Sequence, residues 1–217
     1  MGAEGRYAWE EPRHRVFVDE FWMAETSVTR AEYHQFLAET GRAEPRGWNE
    51  PAFTDPEQPV VGVSWFDAVA YCVWFTRVRG ESYRLPTEAE WEKACRGGRD
   101  DAEYAWENEP PESFEYLQGE WAGPRRVGQW RANGFGIQNL GDNVHEWCSD
   151  WFDASYYAAS PEVNPKGSEA GTRRVSRGGS WRHRVKASRC AHRSSLPPEY
   201  RYTDYGFRIA AAIPAVW

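Results

Sequence analysis

Asn139, Asp142 and Glu146 place three oxygen-bearing side chains within eight positions of one another, in the stretch Asn133-Gly-Phe-Gly-Ile-Gln-Asn-Leu-Gly-Asp-Asn-Val-His-Glu-Trp147. Hard oxygen ligands supplemented by loop carbonyls suit calcium. The glycines supply the backbone freedom of a tight loop, and an Asn/Gly turn without an ion is the plainer reading. Nitrogen ligands come from five histidines, at 14, 34, 145, 183 and 192, with no two spaced i, i+4 on one helix. They hold iron only if the fold gathers His145, His183 and His192 in space. Sulfur comes from four cysteines, at 72, 95, 148 and 190, without a Cys-x-x-Cys pair, which argues against zinc.

The elements that must position these groups are short. His14–Met23 alternates apolar positions and reads as a strand or hairpin arm. Thr29 with Glu32, Ser64 with Asp67 and Thr87 with Glu90 mark three helix starts by the capping-box pattern. The helices that follow stop near Gly41, past Val73 and at Gly97-Gly98, with a Pro- and Glu-rich loop over 42–59. From Gly97 to Ser176 almost no regular structure is legible, and the Asn, Gly and aromatic content points to ordered coil that needs metal or side-chain hydrogen bonds for its backbone. Arg174–Trp181 and Asp204–Ala210 read as two strands of a closing hairpin.

The totals bound the rest. The 217 residues show no internal repeat and no linker, so one domain spanning 1–217 is expected. Leu and Ile are scarce, five and three, and thirteen Trp with eleven Tyr must build the core instead. The net charge of −7 is uneven: residues 171–208 carry +8 and the remainder −15. Internal pairing of a basic segment with acidic partners is the first expectation, and a basic patch for an anionic ligand is the sharper one. The basic-aromatic pattern of a nucleic-acid groove is not there. No stretch is apolar enough to span a bilayer and no signal peptide opens the chain, which gives a cytoplasmic expectation and buried free thiols.

Several segments, in order, resemble the formylglycine-generating enzyme (sulfatase-modifying factor) family. They are Pro59-Val-Val-Gly-Val-Ser-Trp-Phe-Asp-Ala-Val-Ala-Tyr-Cys72, Tyr83-Arg-Leu-Pro-Thr-Glu-Ala-Glu-Trp-Glu92, Asn133-Gly-Phe-Gly136, Asp142-Asn-Val-His-Glu-Trp147, Arg177-Gly-Gly-Ser-Trp181 and Gly206-Phe-Arg208. The resemblance implies an α+β fold, the family's variant of the C-type lectin fold, with few short helices and small antiparallel sheets. It covers nearly the whole chain and accounts for the long irregular stretch without a second domain.

Carried over by position, the family's second calcium site falls on Asn139, the carbonyls of Asp142 and Val144, and Glu146, as a structural ion. The family's other calcium loop follows a segment matching Leu117–Trp121, and that loop is shortened. The founding enzymes oxidise a sulfatase cysteine with oxygen and a copper ion held by two thiols. One of those thiol positions is Val185 here, so copper chemistry is not expected. Sulfoxide synthases of the family use iron on three histidines, largely from an additional helical domain. Cys95 and Cys190 match a structural cysteine pair that bridges in relatives, and a cytosolic home favours two reduced thiols packed close. Cys72 matches a second bridge whose partner position is Ile209.

The expected function is therefore recognition without copper-thiolate catalysis. The face built from 181–205 would bind a peptide or a small anionic ligand through Trp181, Arg182, His183, Arg184, Lys186, His192, Arg193, Tyr200, Arg201 and Tyr202. Two alternatives stand beside it: a non-haem metal-dependent oxidoreductase using histidine ligands, and a variable ligand-display protein of a diversity-generating retroelement. Family membership itself speaks to fold more than to activity.

Overall fold

A computed structural model describes residues 1–106, 123–129 and 131–213. The segment Leu117–Trp121 lies outside the described residues. All three capping boxes form. Thr29, Ser64 and Thr87 each accept the N–H of the third residue on at 3.2 Å, and Glu32, Asp67 and Glu90 return a carboxylate to the cap backbone. These caps start α1 (Arg30–Thr40), α2 (Trp65–Arg79) and α3 (Glu88–Arg96). Each helix ends on a left-handed glycine, Gly41, Gly80 or Gly97, where a side chain would strain the backbone.

The strands make two small sheets. β1 (Phe21–Met23), β7 (Ala210–Ala212) and β2 (Tyr83–Arg84) lie antiparallel in that order. The second sheet runs β5 (Arg193–Leu196), β4 (Arg174–Arg177), β3 (His145–Trp151) and β6 (Tyr205–Gly206). Its β3–β6 pair is parallel, with His145 opposite Tyr205, so the sheets are not wholly antiparallel. The expected hairpin between 174–181 and 204–210 does not form. β4 pairs with β3 and β5, while the chain after β6 crosses to the other sheet as β7. Within the stretch expected to be coil, β3 is a seven-residue strand at the middle of its sheet. His145–Cys148 are buried in succession, on both faces, so no polar alternation marks the strand in the sequence. Of the expected strand over 14–23, only Phe21–Met23 pairs in a sheet, with Phe17 making one isolated bridge to Val163.

The core is aromatic, as the composition requires. Tyr33, Phe36, Tyr71, Trp74 and Phe207 interlock between α1, α2 and the chain end at ring separations of 5.0–6.3 Å. Trp147 Nε1 donates to the Val63 carbonyl and Trp65 Nε1 to the Cys148 carbonyl.

The charge asymmetry resolves largely inward. Arg189 pairs with Glu10, Arg193 with Glu88, Arg177 with Glu88 and Glu92, and Arg208 with Glu146, all among buried groups. Arg201 adds a more exposed pair with Asp67. The basic segment is thus fastened to acids of the rest of the chain, and only what is left over faces solvent.

Candidate functional site

The calcium set comes first, because its ligands are local in sequence. Asn139 sits in the left-handed region (φ 56). Its Oδ1 accepts the Gly128 N–H at 3.0 Å and its amide faces the Asp142 carboxylate at 3.3 and 3.4 Å. Asp142 is buried, which pushes its carboxyl up to about 7. Glu146 decides the fit. Its Oε1 accepts from Ser27 Oγ and Arg208 Nη2, and its Oε2 from Trp91 Nε1 and Arg208 Nε. A carboxylate has about four lone-pair directions, and here four donors fill them. Of the set Asn139, Asp142, Val144 and Glu146, the acidic ligand Glu146 therefore has no free direction for a calcium ion as it stands.

The exposed face on 181–205 is narrower than the sequence suggests. Trp181 is buried against Phe53 and Val144. Arg193 is buried on Glu88, so neither residue is available to a ligand. Arg201 is exposed but engaged by Asp67 at 2.8 Å. Arg182, Arg184, Lys186, Tyr200 and Tyr202 remain exposed, and His183 and His192 are half-buried.

Arg182, His183, His192 and Tyr202 border a cleft of about 370 Å³ whose walls also include His145, Ser194, Asp204 and Tyr205. The sheet places the floor: the His145 N–H bonds the Asp204 carbonyl at 2.9 Å, and the His145 ring stacks on Tyr205 at 4.8 Å. The wall comes from a turn after Gly178-Gly179. A Cβ at Gly179 would lie 2.6 Å from Ser188 Oγ, so glycine is needed for the chain to pass. Trp181 N–H then bonds Asn143 O, His183 N–H bonds Ser180 O, and the His183 ring swings over the floor.

Three ligand-type side chains meet there. His145 Nε2 lies 3.1 Å from His183 Nδ1, which lies 2.9 Å from Ser180 Oγ, and that hydroxyl donates to Asp204 Oδ2 at 3.0 Å. Burial, then the neighbouring His183 and His192, holds His145 well below the ordinary imidazole range. Burial lowers His183 too, against the pull of Asp204. Both rings are thus neutral near neutral pH, the form that carries a free lone pair. His192 lines the same cleft, but its Nδ1 turns to Glu10 Oε1 at 3.3 Å. The sequence reading grouped the three histidines and missed Asp204. Its one available signal was an acid lying just before the buried run Tyr-Gly-Phe-Arg.

The four thiols are elsewhere. Cys95 and Cys190 are buried together with their sulfurs 2.7 Å apart, and Cys72 and Cys148 are buried singly. Val185 opens the short turn Val185–Ser188 beside the cleft and supplies no sulfur.

Known proteins resolve the fold's kinship. The profile of the "Sulfatase-modifying factor enzyme 1-like domain" matches residues 1–213. The chain belongs to this family. The formylglycine-generating enzyme of Streptomyces coelicolor is 36% identical over 265 aligned positions, covering 93% of this chain and 81% of that protein. Among solved structures, PvdO from Pseudomonas aeruginosa superposes with a TM-score of 0.82 at 26% identity, covering 98% of this chain and 90% of the other. Treponema denticola variable protein 1 also gives 0.82, at 25% identity, covering 98% and 91%. The expectation of a formylglycine-generating-enzyme-like, C-type-lectin-like α+β fold is met. Among the described residues no helix is long and apolar enough to cross a membrane.

Proposed function

We propose that this chain is a recognition member of the family, binding an acidic peptide or a small anionic molecule in the cleft on the 181–205 face. One observation carries this reading. The segment's structural arginines turn inward to Glu10 and Glu88, while Arg182 stays half-exposed over a cleft of about 370 Å³ with Tyr202 at its rim. That volume is within the range of small-ligand sites. A guanidinium beside phenol rings combines a charge-assisted donor with rigid apolar contact. The copper-thiolate oxidation that the family resemblance suggests has no thiol at Val185 to work with.

Calorimetric titration with a panel of anionic small molecules and acidic peptides tests the reading. Saturable binding is expected, weakened by salt and at least about tenfold by Arg182→Ala. Arg6→Ala, on an exposed pair with Glu103 and outside the cleft lining, leaves it unchanged. Absence of binding, or an Arg182→Ala protein with full affinity, refutes it. A second reading, a variable display protein, is supported by the likeness to Treponema denticola variable protein 1. A near-repeat of the DNA encoding 177–208 beside a reverse-transcriptase gene would select it.

A further inference from the structure

We propose that His145 Nε2, His183 Nδ1 and a carboxylate oxygen of Asp204 form a site for one divalent first-row transition-metal ion, with its remaining coordination positions open to the cleft. The three ligand atoms already lie within 4.8 Å of one another. Two metal–nitrogen bonds of about 2.1 Å set their nitrogens about 3.0 Å apart at a right angle and about 3.4 Å apart at a tetrahedral one. The observed 3.1 Å falls between these values. Closing a spacing of 4.8 Å to about 3.4 Å requires Asp204 to approach by about 1.4 Å, a side-chain rotation that loosens its bond from Ser180.

Proton bookkeeping points the same way. Ser180 Oγ gives its single proton to Asp204, so His183 Nδ1 must supply the proton for its contacts with Ser180 and His145. His145 Nε2 is then a bare acceptor, and the neutral ring carries its proton on Nδ1. That nitrogen is buried and meets no partner at hydrogen-bonding geometry. A cation between Nε2 and the His183 Nδ1 takes the first lone pair directly and the second once His183 shifts its proton from Nδ1 to Nε2, its other neutral tautomer. It leaves the proton on His145 Nδ1, the outer nitrogen from which a metal-bound imidazole usually donates.

The donor set selects the ion. Two imidazoles and one carboxylate are too nitrogen-rich for calcium or magnesium and lack the soft sulfur of a copper(I) site. They match the two-histidine, one-carboxylate arrangement that leaves positions free for exogenous ligands. The floor is held before any ion arrives, by the His145–Asp204 backbone bond, the Tyr205 ring and Ser180. One group opposes: Arg182 Nη1 lies 4.0 Å from Asp204 Oδ1, with the guanidinium held aside by its Nη2 bond to Thr203 Oγ1 at 2.8 Å.

The site does not depend on the cleft taking an organic ligand, and its test uses the metal alone. The untagged chain, stripped with chelator, is titrated with Co²⁺ and Zn²⁺ and followed by visible absorption and calorimetry. One equivalent is expected, with nitrogen/oxygen-type cobalt bands and no thiolate charge transfer. Affinity falls at least about tenfold in His183→Ala and in Asp204→Asn, and His34→Ala binds as the parent. Circular dichroism and Tm establish that each variant is folded. Should either variant not fold, X-ray absorption of the zinc-loaded parent decides by the presence or absence of imidazole scattering. No stoichiometric binding, binding that survives both substitutions, thiolate charge transfer, or a spectrum without imidazole overturns the site.

Discussion

Arg208 clamps Glu146 through two parallel donors, Nε at 2.7 Å from Oε2 and Nη2 at 2.8 Å from Oε1, with both side chains at 0% exposure. The other guanidinium donors reach the carbonyls of Ala24, Glu25 and Gln138. Both charges are satisfied only together. Arg208→Met leaves Glu146 buried without its cation and is expected to cost about 3–5 kcal/mol. Arg208→Lys recovers little, because an ammonium cannot reproduce a five-donor planar fork. Urea denaturation measures both, and a loss under about 1 kcal/mol in the methionine variant contradicts the clamp.

Asp150 gives the protein a pH signature. Burial, reinforced by the nearby Glu88 charge, pushes its carboxyl up to about 7, against bonds from the Glu88 N–H and Ser149. A folded pKa raised above the unfolded one contributes stability that is whole below about pH 4 and lost as pH rises through about 7. The shift corresponds to about 4 kcal/mol on an order-of-magnitude scale. Asp150→Asn removes that titration. The variant should gain on the parent as pH rises from about 4 to about 7 and hold that gain above it, and a pH-independent difference in Tm would rule this out.

Gly141 holds the cleft wall by absence of a side chain. Its φ is +92 and a Cβ would stand 2.6 Å from the Ser188 carbonyl oxygen. Gly141→Ala combines backbone strain with a clash against the turn Val185–Ser188, and a cost of about 1–3 kcal/mol is expected. Gly136→Ala is the control, since φ is positive there as well but the space beside it is open. Equal losses in the two would show that strain alone, without the close approach, sets the cost.

The thiols should be silent until the protein unfolds. Burial raises Cys72 to about 12 and lifts Cys95 and Cys148 well above the ordinary thiol range. The thiolate is the reactive form. Ellman's reagent is expected to find no fast-reacting group in the native reduced protein and four in denaturant. Two in denaturant would mean that Cys95 and Cys190 had joined.

The helices were legible because their signals are local. Each start is a reciprocal contact between residues three apart, and each stop is a glycine next to the last turn. β3 was not, because its residues are buried on both faces and carry no alternation. The 174–181 and 204–210 segments read correctly as extended in part, but pairing partners are chosen by tertiary packing, and β3 lies between them. The charge imbalance announced inward pairing without saying which arginines would be spent. Composition could not tell Arg193, buried on Glu88, from Arg182, half-exposed over the cleft. The oxygen-rich loop suggested a cation because the sequence does not show that Ser27, Trp91 and Arg208 converge on Glu146 from three distant segments. Asp204 joined the histidines only through the parallel β3–β6 register.

Along 189–194 the inward side chains of Arg189 and Arg193 act as rivets, while His192 and Ser194 face the opening. Anchorage and lining therefore occupy different positions of one short ribbon. A descendant can retool what this hollow accepts by exchanging the outward set, and the fasteners beneath carry the architecture unchanged.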